Sequence, residues 1–267
     1  MSTAVQHATN GDVQIAYEVA GDGPPLLLIM GLGYDRHGWG VVPRLLAEDF
    51  RVAWYDNRGL GESSVPTGPY SAALMAGDAL AVLDAAGFER AHVLGTSLGG
   101  MVAQELVLAH PERVEKLVLA CTTPGGPDQV PMPQRSVEAI ARFPLLPAEE
   151  GYRLVVENAL SDETVASRPA LVEELVAYRL SHQPPMDGWL AQAAAGMTFD
   201  SGGRLASITA PTLVQHGTGD HVVDYRNSQL IADAIPASRV ELFEGLGHLY
   251  FWEEPERFVR SVREFLL

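Results

Sequence analysis

Six short apolar runs without polar alternation constrain this chain most: residues 26–30, 52–55, 92–95, 117–121, 212–216 and 240–243. A strand half exposed to water alternates apolar and polar side chains. A strand covered on both faces has no need to, and that is the habit of parallel sheets. Between several runs lie helical patterns. Ala79, Leu80, Leu83 and Ala86 share one face, which ends at Gly87, and Leu98, Val102, Leu106 and Ala109 share another, stopped by Pro111. Pro255 stands at a helix start, followed by a buried face of Phe258, Val259, Val262, Phe265 and Leu266. Strand–helix alternation of this kind predicts an α/β fold, a mostly parallel central sheet with helices on both faces. Ahead of it, alternation at Val13, Ile15, Tyr17 and Val19 after Asn10-Gly11 predicts a hairpin with a tight I′ turn.

The regularity breaks between residues 124 and 204. Pro124, Pro127, Pro131, Pro133, Pro144 and Pro147 punctuate the first part, and helical runs follow near 152–160, 171–182 and 189–197. With no strand-like run and no linker composition, this stretch reads as a helical lid inserted between two strands. The expected organisation is a core of residues 1–123 and 205–267 with a lid of residues 124–204.

Composition narrows the partners. A formal net charge of −16 argues against nucleic acid or an anionic membrane surface. No apolar run approaches the roughly 20 residues that span a bilayer, and the first residues lack a signal-peptide pattern. The lone Cys121 excludes an intrachain disulfide and a thiol zinc cluster, so a cytoplasmic protein is expected. No two histidines have metal-ligand spacing, and neither a metal nor a cofactor is expected. Nothing in these residues selects an oligomeric state.

Gly95-Thr96-Ser97-Leu98-Gly99 sits between a predicted strand and a predicted helix. A G-x-S-x-G in that context is a nucleophile elbow, a sharp turn that lifts the serine hydroxyl above the sheet's carboxyl edge. Serine is a poor nucleophile alone and needs an imidazole to take its proton, with a carboxylate to hold the imidazole's tautomer. Both appear later in the chain. Asp220 ends the glycine-rich loop after the run at 212–216, and His248 sits in Gly245-Leu246-Gly247-His248 after the last strand. Asp224, beside a helical pattern, is the competing carboxylate and fits an N-cap better.

With this order of serine, acid and histidine, the whole chain resembles the α/β-hydrolase superfamily, in its branch of small bacterial esterases, enol-lactonases and cofactor-free haloperoxidase-like proteins. Asp56-Asn57-Arg58-Gly59-Leu60-Gly61-Glu62-Ser63 resembles that branch's D-x-R-G-x-G-x-S turn. The resemblance implies Ser97 as nucleophile, His248 as general base and Asp220 as orienting acid, with the backbone N–H groups of Leu32 and Leu98 as oxyanion donors. One departure stands out: where the family usually has His-Gly after an early strand, this chain has Met30-Gly31-Leu32-Gly33.

The implied reaction is hydrolysis of a small-molecule substrate, an uncharged carboxylic ester or lactone, through an acyl-enzyme. The same residues also serve C–C hydrolysis, perhydrolysis or acyl transfer, and a non-catalytic binding module on the fold is the alternative of another class. His37, Phe143, Tyr152, Tyr178 and Trp189 are candidate pocket residues. His182, Met132 and Met197 are further candidates, while His92 and His216 read as packed or edge residues, His110 as a helix-end residue, and His7 and His221 as solvated turn residues. Only six arginines (135, 142, 153, 168, 179 and 204) fall within the predicted lid, which favours neutral acyl groups unless one points inward.

Overall fold

The computed structural model describes residues 4–267. Eight strands form one sheet: β1 (Gln6–Asn10), β2 (Val13–Ala20), β3 (Pro25–Ile29), β4 (Arg51–Tyr55), β5 (Ala91–Thr96), β6 (Val114–Ala120), β7 (Thr212–Gly217) and β8 (Ser238–Phe243). Their order is β1-β2-β4-β3-β5-β6-β7-β8. β1 and β2 pair antiparallel, β2 runs antiparallel to β4, and every later pairing is parallel. All six apolar runs lie within or overlap these strands.

Why they lack alternation is visible in the packing. Leu27, Ile29, Val93, Leu117 and Leu119 enter one buried cluster, while Leu26, Leu28, Leu94, Val118 and Ala120 enter the other. Successive side chains point to opposite faces, and helices cover both. The first face is covered by α2 (Ala72–Ala85) and α3 (Leu98–Ala109), the second by α1 (Val42–Leu46) and α11 (Pro255–Leu266). Fully burying a leucine contributes roughly 1.5–3 kcal/mol, so both faces favour apolar residues throughout the runs.

Between β6 and β7 lie α4 (Gln134–Arg142), α5 (Ala148–Ala159), α6 (Asp162–Ser167), α7 (Pro169–Ser181) and α8 (Met186–Met197). The two ends of this insertion are tied together: Gly125 bridges Asp200, and Ser201 N–H donates to the Pro124 carbonyl at 2.9 Å. The remaining helices are α9 (Arg226–Ala234) and α10 (Tyr250–Glu253).

Three local expectations are corrected. The hairpin turn is Gly11-Asp12, since Asn10 pairs with Val13, and only Gly11 has positive φ (60°), the pattern of a II′ turn. His7 is a residue of β1 rather than of a turn. α4 and α6 are additional helices. α4 starts directly after Pro133 and buries only Ser136 and Ala139 while Val137 and Ile140 stay exposed, so its larger apolar residues do not mark its buried face.

The chain builds β3 and β4, then returns to place β5 on the other side of β3. Such a reversal opens a crevice at the carboxyl ends of the strands, where ligands bind in open α/β sheets. Gly31 follows β3 and Ser97 follows β5 at that point.

Candidate active site

Ser97 has φ 54° and ψ −121°, between the end of β5 and the start of α3. Positive φ in a non-glycine residue costs on the order of 1–3 kcal/mol and persists only where its surroundings impose it. Here they do. A Cβ on Gly95 would fall 2.2 Å from the Gly99 carbonyl oxygen, and one on Gly99 would fall 2.1 Å from that of Ile29. The Ser97 N–H donates to Ala120 O at 2.9 Å, and Thr122 Oγ1 donates to Ser97 O at 2.8 Å. Ser97 stands at the N-cap of α3 but makes no capping bond with its side chain. The hydroxyl is therefore not tied to its own helix, and the first N–H groups of α3 remain at the site.

Beside it runs the Gly31–Gly33 loop. A Cβ on Gly31 would lie 3.1 Å from Ser97 Cβ and 3.7 Å from its Oγ, so glycine lets this backbone approach Ser97. Neither Leu32 N–H nor Leu98 N–H has a hydrogen-bond acceptor among the described residues. The next N–H, that of Gly33, is taken by Gln192 Oε1 at 3.1 Å, while Gln192 Nε2 donates to Arg58 O at 2.8 Å. Gln192 had no signal in the sequence. Met30, in place of the usual histidine, turns its side chain toward Gly38 and into the core.

The acid and the histidine come together from two further loops. Asp220 Oδ2 lies 2.6 Å from His248 Nδ1, so the Nδ1–H donates and Nε2 is left as the basic nitrogen. Asp220 Oδ1 accepts the N–H groups of Val222 (2.7 Å) and Val223 (3.0 Å). The loops are also joined by backbone: Gly219 N–H donates to Leu246 O at 2.8 Å. A fourth residue joins this group. His216, expected to be a packing residue, sets Nε2 2.9 Å from Asp220 Oδ2 and Nδ1 2.6 Å from Ser228 Oγ.

Burial by itself opposes the charge on Asp220, but His248 and His216 outweigh it and hold the carboxyl well below the usual carboxylate range. For His248, burial again opposes the charge. The Asp220 carboxylate, together with Cys121, reverses that and pushes the imidazole well above its ordinary value. Cys121 is buried and is, with Ser97, one of two described non-glycine residues at positive φ. Asp224 lies elsewhere: its Oδ1 accepts Arg226 N–H at 2.9 Å at the start of α9, and its Oδ2 pairs with the Arg226 side chain at 2.6 Å.

The insertion covers this region with α8. Trp189 packs on Gly33, and Gly196 lies near Leu98 and Met101. The other candidate pocket residues form two groups. Phe143 and Tyr152 pack edge to face at 5.4 Å. His37 lies 5.4 Å from His182, which stacks on Tyr178 at 4.7 Å. Tyr178 also donates its hydroxyl to Asp35 at 2.8 Å. This second group borders a cavity of about 380 Å³ lined by Gly33, Asp35, His37, Glu62 and His182, among others, and Ser97 is not part of its wall. Met132 and Met197 are exposed.

One arginine of the insertion does turn inward. Arg179 is 5 % exposed, and its Nη1 donates to the Gly33 carbonyl. Its guanidinium lies 4.2 Å from the Tyr34 ring centre and 5.2 Å from that of Tyr152. Its Nε has no hydrogen-bond partner, and among the described residues no carboxylate pairs with it. This places a buried cation beside the Gly31–Gly33 loop.

Among the described residues no cluster of His, Cys, Asp and Glu is arranged to hold a metal ion. No helix among them is long and apolar enough to cross a membrane.

Comparison with known proteins agrees with this architecture. The chain is 34% identical over 253 residues to a protein of Azorhizobium caulinodans that carries the name carbamate hydrolase RutD, covering 94% of each. It is 31% identical over 270 residues to the 2-hydroxy-6-oxononadienedioate/2-hydroxy-6-oxononatrienedioate hydrolase of Paraburkholderia xenovorans, covering 96% of this chain and 92% of that one. The structure of the esterase RhEst1 from a Rhodococcus species superposes with a TM-score of 0.84 at 30% identity, over 98% of both chains. Residues 24–255 match the alpha/beta hydrolase fold family. The chain belongs to that family, and it is a hydrolase.

Proposed function

We propose that this chain is a serine hydrolase that cleaves an uncharged carboxylic ester or lactone through an acyl-enzyme. The observation that carries the reading is the 2.6 Å contact of His248 Nδ1 with Asp220, in a fold that lifts Ser97 on a strained turn. Ser97 Oγ attacks the carbonyl carbon as His248 Nε2 takes its proton. The oxyanion is met by the N–H groups of Leu32 and Leu98, a contribution worth about 2.7–4 kcal/mol per donor in such sites. His248 then gives the proton to the leaving alkoxide, and a water activated by the same nitrogen releases the acid. In this reading residues 124–204 act as the lid over a core of residues 1–123 and 205–267. The net charge of −16 speaks against nucleic acid as partner, and the single free cysteine fits a cytoplasmic setting.

Arg179 favours a second reading, in which the substrate carries a carboxylate. A buried guanidinium without a counter-charge is costly, and an anionic substrate group would supply the charge. The Paraburkholderia relative is named for a dioate, which is the same chemistry.

Turnover of a neutral ester and of its ω-carboxylate analogue decides between the two. The first reading predicts that the neutral ester has the higher kcat/KM and that Arg179→Met leaves the ratio within about threefold. Removing one partner of a buried charge pair costs about 3–5 kcal/mol. An anionic ester ahead by tenfold, with that lead abolished in Arg179→Met, establishes the second reading instead.

A further inference from the structure

Glu253 ends α10, five positions beyond His248, and is 3 % exposed. Among the described residues no cation pairs with its carboxylate, and Arg168 reaches only its backbone carbonyl. Its partners are donors from two separate parts of the chain. Oε1 accepts the Gly247 N–H at 2.7 Å, the peptide directly before His248. Oε2 accepts the hydroxyl of Ser161, the N-cap of α6, at 2.6 Å and that of Thr164 in the first turn of α6. The Ser161 N–H also faces the carboxylate, 3.3 Å from Oε1.

The peptide after His248 is held by the same segment. Leu249 N–H donates to Ala159 O at 2.9 Å. Gly247 itself lies flat against the insertion: a Cβ there would fall 2.5 Å from both Leu160 C and Ser161 N. The backbone on both sides of His248 is thus anchored on residues 159–161. On the other side lies Asp220, whose Oδ2 accepts the His248 Nδ1–H at 2.6 Å.

We infer that Glu253 is a positioning residue for His248, the clasp through which the helical insertion sets the geometry of the general base. This rests on the reading of His248 as that base. The carboxylate has acceptors only, and every group aimed at it is a donor. An amide in its place turns an NH₂ toward one set of those donors. Either the Gly247 N–H or the α6 turn then loses its acceptor, and the His248 peptide is free to shift. Misplacing a catalytic group by about 1 Å can cost around 10²-fold in rate.

The charged and titratable groups around His248 are Asp220 from the loop after β7, with His216 behind it, and Cys121 at the end of β6. Tyr250 senses both Asp220 and Cys121, and Glu253 reaches His248 through Gly247. A looser His248 loses part of its contact with Asp220, so its raised pKa falls toward the ordinary imidazole value. Catalysis requires the neutral ring, so the acid limb of kcat/KM moves to lower pH.

The test is Glu253→Gln, assayed for ester hydrolysis across pH, with His248 titrated in parallel by NMR on histidine-labelled protein. The expected result is a fall in kcat on the order of ten- to a hundredfold, with KM little changed and both the acid limb and the imidazole titration moved to lower pH. A role in stability alone lowers the melting temperature and leaves the titration in place. Thr164→Val removes one donor while keeping the shape and the Ser161 cap, and should act in the same direction to a smaller extent. Thr164→Ser, which restores the hydroxyl, should behave as wild type. A folded Glu253→Gln protein with wild-type kcat and an unmoved His248 titration overturns the inference. If that variant does not fold, the same two observations on Thr164→Val overturn it. A wild type without Ser97-dependent turnover contradicts the hydrolase reading instead, and the NMR titrations then still decide whether Glu253 holds His248.

Discussion

Ser97→Ala is expected to reduce kcat for a short p-nitrophenyl ester by on the order of 10⁶, the loss typical of a triad serine. Alanine at this position meets the same backbone, with φ 54° imposed by the close approach of Gly99 to the Ile29 carbonyl. The Ser97 side chain makes no capping bond in α3, so circular dichroism and melting temperature should remain close to wild type. In the proposed mechanism, what remains is the pair of oxyanion donors and a histidine without a nucleophile to activate. Retention of more than about a tenth of the wild-type rate, with contaminating esterase removed, would remove Ser97 from the mechanism; that threshold lies far above the 10⁶-fold loss expected.

Asp220→Asn is expected to cost about 10⁴ in kcat, because an amide favours the wrong imidazole tautomer. The effect should exceed simple loss of a charge, since Asp220 faces two histidines and two backbone N–H groups at once. Its stability will fall as well, and melting curves should accompany the kinetics. Asp224→Asn is the control. Its carboxylate accepts the Arg226 N–H and pairs with an exposed guanidinium, asparagine caps about as well, and an exposed pair contributes about 0–1 kcal/mol. Its kcat should stay near wild type. The opposite pattern, with activity lost at residue 224 and kept at residue 220, would replace the third member of the triad.

The parts of this molecule that were legible in its sequence are those written in local pattern. Leu26 to Ile29 fill both faces of the sheet with consecutive residues, and that leaves an apolar run readable without a structure. Ser97 stands out because glycines are required on both sides of it by contacts within one turn and one neighbouring strand. His216 did not stand out. It sits within β7, where a histidine reads as packing, and only the curl of the loop back over the strand brings Asp220 to it. Gln192, Arg179 and Glu253 were not recognised for a different reason. Each acts on backbone from a distant part of the chain: Gln192 holds Arg58 O across 134 positions, Arg179 reaches Gly33 O across 146, and Glu253 faces the Ser161 N–H across 92. No periodicity reports such contacts. The insertion therefore read as a cover, whereas its helices also hold the Gly31–Gly33 loop and the peptides around His248.

The central claim, that Ser97 is a nucleophile activated by His248, is tested most directly by an activated organophosphonate followed by peptide mass mapping. The account predicts one stable adduct per chain, on Ser97, forming with an acid limb above the ordinary imidazole pKa because the ring of His248 must be neutral. His248→Ala should form it far more slowly. No adduct on Ser97, or labelling at the same rate without His248, would contradict the account.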